Sequence, residues 1–101
     1  MNYYIFKTDW SNGITTIICN GSHDTELDCR RHWQCYLYGF MDGAYELLGR
    51  GNFELQNGKR TLSFQILIKT TGKLVEYFML LDKEGQDLID EISKTPTPRG
   101  A

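Results

Sequence analysis

Residues 44–82 hold three runs dense in apolar residues, separated by Asn57-Gly58 and Thr71-Gly72. Asn-Gly between such runs is the strongest short-range hairpin signal, because both central residues of a type I′ turn need φ > 0. Thr-Gly carries the same signal more weakly. The stretch is therefore expected to form a curved three-stranded antiparallel meander, with strands over 44–56, 59–70 and 73–82. A two-residue loop at Asn57-Gly58 makes Gln56 face Lys59 and sets every pair beyond it. One face then pairs Phe53 with Leu62, Gly51 with Phe64, Gly49 with Ile66 and Leu47 with Ile68. The other pairs Glu54 with Thr61, Asn52 with Ser63, Arg50 with Gln65 and Glu46 with Lys69. The first set is apolar and the second mostly polar, and a slip of one residue would mix them. A two-residue loop at Thr71-Gly72 extends the apolar face by pairing Leu62 with Leu81, Phe64 with Met79, Ile66 with Tyr77 and Ile68 with Val75. Gly49 and Gly51, opposite large residues, would relieve crowding or mark a bend or bulge.

Upstream, residues 2–10 (NYYIFKTDW) and 14–19 (ITTIIC) flank Asn12-Gly13 and read as a second hairpin, ended by Asn20-Gly21. Residues 22–31 open like a helix. Ser22 or Asp24 can cap it, Asp24, Glu26 and Asp28 suit its first turns, and Arg30 and Arg31 follow as the macrodipole prefers. Residues 32–41 (HWQCYLYGFM) fit two periods. We assign them to a strand that turns at Asp42-Gly43 into Ala44. The alternative is one helix from about Asp24 to Met41, with Cys29, Trp33, Tyr36, Leu37 and Phe40 on one stripe. Residues 83–94 read as a helix with Leu88, Ile89 and Ile92 on its apolar side. The second face of the meander carries Leu48, Leu67, Leu74, Phe78 and Leu80 and needs a helix as cover. The two prolines of residues 95–101 (TPTPRGA) exclude a helix there and point to a disordered tail. The expected fold is α+β, a single domain over 1–94: N-terminal hairpin, short helix, meander and C-terminal helix.

A 101-residue chain suffices for one core without obligatory staples. Its net charge of −2 weighs mildly against a nucleic-acid partner. No apolar run approaches the ~18 residues of a membrane span, and residues 1–9 lack the pattern of a signal peptide, so no membrane partner is expected. Three cysteines, an odd number without secretory context, imply the reducing cytoplasm.

The densest group of soft ligands is Cys19, His23, Cys29, His32 and Cys35. It lacks a Cys-x-x-Cys knuckle, so neither a metal nor another cofactor is expected, and a zinc site or a Cys29–His32 nucleophile pair stands as the alternative. The chain contains no Gly-x-Ser-x-Gly, phosphate loop, His-Glu-x-x-His or calcium loop. Lys59, Arg60, Lys69 and Lys73 at the turns, with Arg50 between them, would suit a single-stranded nucleic acid, though turn tips and sheet edges need solvating charges anyway.

Two surfaces remain as candidates for a protein partner. One is the acidic helix, Asp82, Glu84, Asp87, Asp90 and Glu91, whose carboxylates could occupy a basic groove, although a helix N-terminus prefers acids regardless. The other is aromatic, with Trp10 beside the first turn and Tyr3 on the first strand. The expected function is non-catalytic protein binding by an inhibitor, adaptor or immunity-type protein that occludes a surface. Small inhibitors made by phages and mobile elements, including anti-CRISPR proteins, share this size and absence of motifs. An unpaired sheet edge could also form a homodimer.

Overall fold

The computed structural model describes residues 1–39, 43–55 and 58–94. The readings that involve Phe40, Met41, Asp42, Gln56 and Asn57, and the tail 95–101, lie outside the described residues. In chain order the elements are β1 (Asn2–Asp9), β2 (Ile14–Ser22), α1 (Glu26–Tyr38), β3 (Tyr45–Glu54), β4 (Arg60–Ile68), β5 (Lys73–Leu81) and α2 (Asp82–Lys94). The strands form one antiparallel sheet in the order β2-β1-β5-β4-β3, with a helix against each face, an α+β architecture.

β5 lies in the middle, and its sequence explains why. Val75 to Leu80 are all buried, and a strand covered on both faces reads as a near-continuous apolar run. Val75, Tyr77 and Met79 join Tyr3, Ile5, Phe64 and Ile66 under Cys29, Trp33 and Leu37 of α1. Phe78 and Leu80 join Tyr4, Phe6, Phe53 and Leu55 under Leu88 of α2, so the C-terminal helix covers the second face.

The meander exists, but its registers differ from the expected ones in two ways. Between β4 and β5 the partners of Phe64 and Ile66 are Tyr77 and Val75. This is a shift of two residues, caused by a longer turn in which the Thr71 and Gly72 N–H groups both donate to the Ile68 carbonyl (3.2 and 2.8 Å). A two-residue shift preserves which face each side chain occupies. Between β3 and β4 the shift is one residue. Leu55 N–H donates to the Lys59 carbonyl (2.7 Å), Gly58 N–H donates to the Leu55 carbonyl (3.0 Å), and Gly58 takes φ +83°. Phe53 therefore faces Thr61, Gly51 faces Ser63 and Arg50 faces Phe64. This moves Phe53 off the Phe64 face and stacks it on Phe78, ring centroids 4.2 Å apart. The frame is restored at a bulge: Leu48 has no partner, and beyond it Leu47 faces Ile66 and Tyr45 faces Ile68. Gly49 thus adjoins the bulge, as one reading expected, while Gly51 lies two residues further along β3 in regular pairing. Crowding is not their reason, since a Cβ at Gly49 would meet nothing within 4 Å and one at Gly51 only ordinary contacts.

The strand assignment for residues 32–41 is corrected over its described part: α1 continues through Tyr38. Cys29, Trp33 and Leu37 recur every four residues and are all buried, so the helical period matches the available core and a period of two does not. The cap is Thr25, not Ser22 or Asp24. Thr25 is extended (φ −131°, ψ 157°), and its Oγ1 accepts the Asp28 N–H at 3.2 Å. Ser22 belongs instead to β2, which runs past Asn20-Gly21. Gly21 serves close approach and not a turn, because a Cβ there would overlap the Tyr3 ring and hydroxyl.

β5 passes into α2 with no intervening loop. Asp82 makes the junction at φ +47°, a conformation that Asp tolerates better than most residues, and its Oδ1 accepts the Asn2 N–H at 2.9 Å. One turn on, buried Gly85 lets α2 rest directly on Tyr4. Gly85→Ala should therefore lower stability although alanine is the better helix former by ~1 kcal/mol. The added Cβ would overlap the Tyr4 ring, and a net loss of ~1–3 kcal/mol is expected from overpacking. A denaturant midpoint at or above that of the wild type would contradict this packing.

Candidate functional site

The turn from β1 to β2 is built on Asp9. Its carbonyl accepts the N–H groups of Asn12 (3.3 Å) and Gly13 (2.7 Å), and Gly13 has φ +70°. Its carboxylate accepts the Ser11 N–H (2.9 Å) and hydroxyl (2.6 Å). These two hydrogen bonds, helped by the Lys73 and Lys7 ammoniums, hold the Asp9 pKa below its ordinary 3.8 against an opposing desolvation effect. Trp10 then donates its main-chain N–H to the Leu74 carbonyl (3.1 Å), which ties the turn to the start of β5.

That anchorage lays the Trp10 side chain along the sheet. Its indole Nε1 donates to Glu76 Oε1 at 2.9 Å, and the other carboxylate oxygen accepts the Ser63 hydroxyl. Glu76 is only 5% exposed, and among the described residues its hydrogen-bond partners are these two neutral donors. Beside it the hydroxyls of buried Thr8 and Thr15 bond to each other at 2.6 Å. The indole ring lies 6.2 Å from Phe53, the outer member of the Phe53–Phe78–Phe6 stack. Trp10 is nonetheless 37% exposed. It borders the part of this face away from α2, where Leu67 and Leu74 pair and remain half-buried. The outcome is an indole held at its nitrogen, in tilted contact with Phe53, and more than a third exposed to solvent.

Tyr3 sits elsewhere. It is 4% exposed, stacked on His23 (centroids 5.4 Å apart) and close to His32 (4.7 Å), with its hydroxyl 3.1 Å from His32 Nε2. Burial, and then the Cys19 and Cys29 thiols, push its pKa up. The structure thus gathers part of the soft-ligand group around Tyr3. Cys29 is in the core with its thiol 3.7 Å from the Met1 carbonyl, and Cys35 is exposed on the opposite side of the helix from that core. Among the described residues no three His, Cys, Asp or Glu side chains are placed to hold a metal ion. The Cys29 thiol and His32 ring point to different partners and not to each other.

The acids of α2 do not form one free row. Asp82 holds the strand-to-helix junction, Glu84 pairs with Lys59 at 2.7 Å, and Asp90 accepts from Gln86 at 3.1 Å. Asp87 and Asp90 are exposed, and Glu91 is half-buried. The basic turn residues are likewise engaged or dispersed: Lys73 lies 3.9 Å from Asp9, and the Arg50 guanidinium lies 5.6 Å from the centre of the Phe64 ring. Where the first residues of β4 part from β5, a cleft of about 270 Å³ opens between Arg30, Trp33, Arg60, Leu62, Met79 and Glu84.

Sequence patterning singles out neither Glu76 nor Ser63 as a site residue. Their signal is a polar residue inside an apolar run: Glu76 in LVEYFMLL, and Ser63, together with Gln65, in LSFQILI. Among the described residues no helix is long and apolar enough to cross a membrane. The chain matches no protein-family model, no curated protein and no solved structure.

The lowered pKa of Asp9 has a sign that can be checked. A carboxyl depressed on folding contributes stability that is present above its unfolded pKa and lost as pH falls through its folded one. The turn under Trp10 should therefore loosen only below about pH 3.8. Asp9 should titrate below 3.8 by NMR. Asp9→Asn keeps the oxygen that accepts from Ser11 and should remove this acid-dependent step from the Trp10 fluorescence. An Asp9 midpoint at or above 3.8 would contradict the hydrogen bonding described.

Proposed function

We propose that this chain is a non-catalytic protein-binding domain, an inhibitor, adaptor or immunity-type protein, and that Trp10 anchors its partner. The observation that carries this reading is a tryptophan left partly exposed although it is fixed at its nitrogen by buried Glu76 and along its ring by Phe53. An aromatic side chain already held in one rotamer forfeits little conformational entropy on binding. Tryptophan is also among the residue types that dominate interface energetics. Leu67 and Leu74 extend the apolar surface beside it, and exposed Ser11 and Asn12 on the turn supply a polar rim. The acidic helix is the weaker candidate, because Asp82 and Glu84 have intramolecular partners that account for them.

The two surfaces respond differently to salt, since the Debye length shrinks from ~10 Å at 0.1 M to ~3 Å at 1 M. A tagged full-length chain would be used to isolate the partner from its host, and affinities measured at 0.1 and 0.5 M salt. Trp10→Ala should weaken binding about 30-fold, the ~2 kcal/mol of a hot-spot residue, while Trp10→Phe, which keeps a ring over Phe53, loses less. A joint Asp87→Asn and Asp90→Asn change should have the smaller effect, and most affinity should survive 0.5 M salt. If the acidic variant loses binding while a folded Trp10→Ala variant binds normally, charge mimicry by α2 replaces this reading.

A further inference from the structure

β2 and β3 are the two edges of the sheet, and β3 carries exposed side chains of both charge signs, Arg50 and Glu54. Because the Leu55 N–H donates to the Lys59 carbonyl across the ladder, alternation directs the N–H and C=O groups of Phe53, Gly51 and Gly49 toward β4. Those of Arg50, Asn52 and Glu54 point outward from the edge, which no strand among the described residues pairs. The same three side chains are exposed. Neither Arg50 nor Glu54 forms an ion pair among the described residues: the Arg50 guanidinium rests 5.6 Å from the centre of the Phe64 ring, and Glu54 stands opposite Arg60 within the sheet.

We infer that β3 pairs antiparallel with β3 of a second copy of this chain, about a two-fold axis at Asn52. In that register Arg50 of each copy faces Glu54 of the other, and Asn52 faces Asn52. These are the outward-pointing residues, so their main-chain groups pair as well, in about six hydrogen bonds. Each Glu54 carboxylate then lies between its own Arg60 and the other copy's Arg50. On the α2 side of the sheet the same register sets Gly51 against Phe53 and Gly49 against Leu55, a small residue opposite a large one each time. An edge glycine is shielded by a cross-strand aromatic in this way.

The competing registers fit less well. An axis at Arg50 sets Arg50 against itself and Glu46 against Glu54, like charges directly opposed. An axis at Gly51 gives Arg50 only Asn52. An axis at Leu48 offers Arg50 to Glu46, but it runs through the bulge, where Leu48 has no partner and the strand bends. The other edge, β2, has no charged residue along Ile14–Ser22 to select any register. A closed two-fold pairing also removes β3 as a template for open-ended strand addition.

Sedimentation equilibrium on the full chain, from about 1 to about 500 μM to span a concentration-dependent equilibrium, tests the inference. The wild type should dimerise. Arg50→Glu and Glu54→Arg should each weaken dimerisation about tenfold or more, since each opposes like charges twice. An equimolar mixture of the two single variants should recover it as a heterodimer, and the chain with both changes should recover it as a homodimer. Amide exchange supplies a readout that needs no variant: Arg50, Asn52 and Glu54 should gain protection as concentration rises, while Gly49, Gly51 and Phe53 are protected throughout. A wild type that stays monomeric over this range would overturn the inference. So would single variants that dimerise as the wild type does, or a mixture that fails to recover.

Discussion

The fold depends on burying β5 on both faces between β1 and β4. Phe78 and Val75 of β5, with Ile5 and Phe6 of β1, are among the largest fully buried side chains. Each contributes on the order of 1.5–3 kcal/mol by leaving water. The β1–β5 ladder also joins the N-terminal hairpin to the C-terminal meander, with Tyr3 opposite Leu81 and Asp9 opposite Val75. Without it neither half would have two covered faces. The two helices are positioned by this ladder. α1 lies on the odd-numbered side chains of β1 and β5, and α2, starting directly from the end of β5, lies on the even-numbered ones.

The second constraint is the frame of β3. At its C-terminal end it is set so that Phe53 reaches across Phe78, and at Leu48 it is reset so that Tyr45 and Leu47 return to the α1 side. This explains which parts of the register were legible in the sequence. The faces of β4 and β5 could be read correctly from alternation, because an error of two residues in the Thr71-Gly72 turn leaves parity unchanged. The face of Phe53 could not, because one additional turn residue before Lys59 inverts it. The competing apolar pairing, Phe53 with Leu62, looked equally good on composition alone. Residues 32–38 show the converse problem. Aromatic density suggested a strand, and the four-residue recurrence of Cys29, Trp33 and Leu37, already visible as a stripe, was the better guide.

The candidate site was partly legible for related reasons. Trp10 stood out because a turn-proximal tryptophan needs a reason to be there, and the structure supplies an intramolecular one in Glu76 while leaving an open face. Tyr3 was placed with it because alternation assigns a side of a strand but not its depth. In fact Tyr3 is enclosed by α1, His23 and His32. The acids of α2 read as a single surface on spacing, yet Asp82 and Glu84 are structural, through Asn2 and Lys59. Such long-range partners have no local signature.

β3 is offset from the register its turn sequence suggests, and Leu48 corrects the offset. The most direct measurement is the set of Hα–Hα nuclear Overhauser contacts between β3 and β4. The non-hydrogen-bonded pairs bring Cα atoms to ~4.5 Å, so strong contacts are expected for Asn52 with Leu62 and Arg50 with Phe64. Ring contacts should join Phe53 to Phe78. Contacts of Phe53 with Leu62 and of Gly51 with Phe64, and ring contacts of Phe53 on the α1 side, would contradict the account.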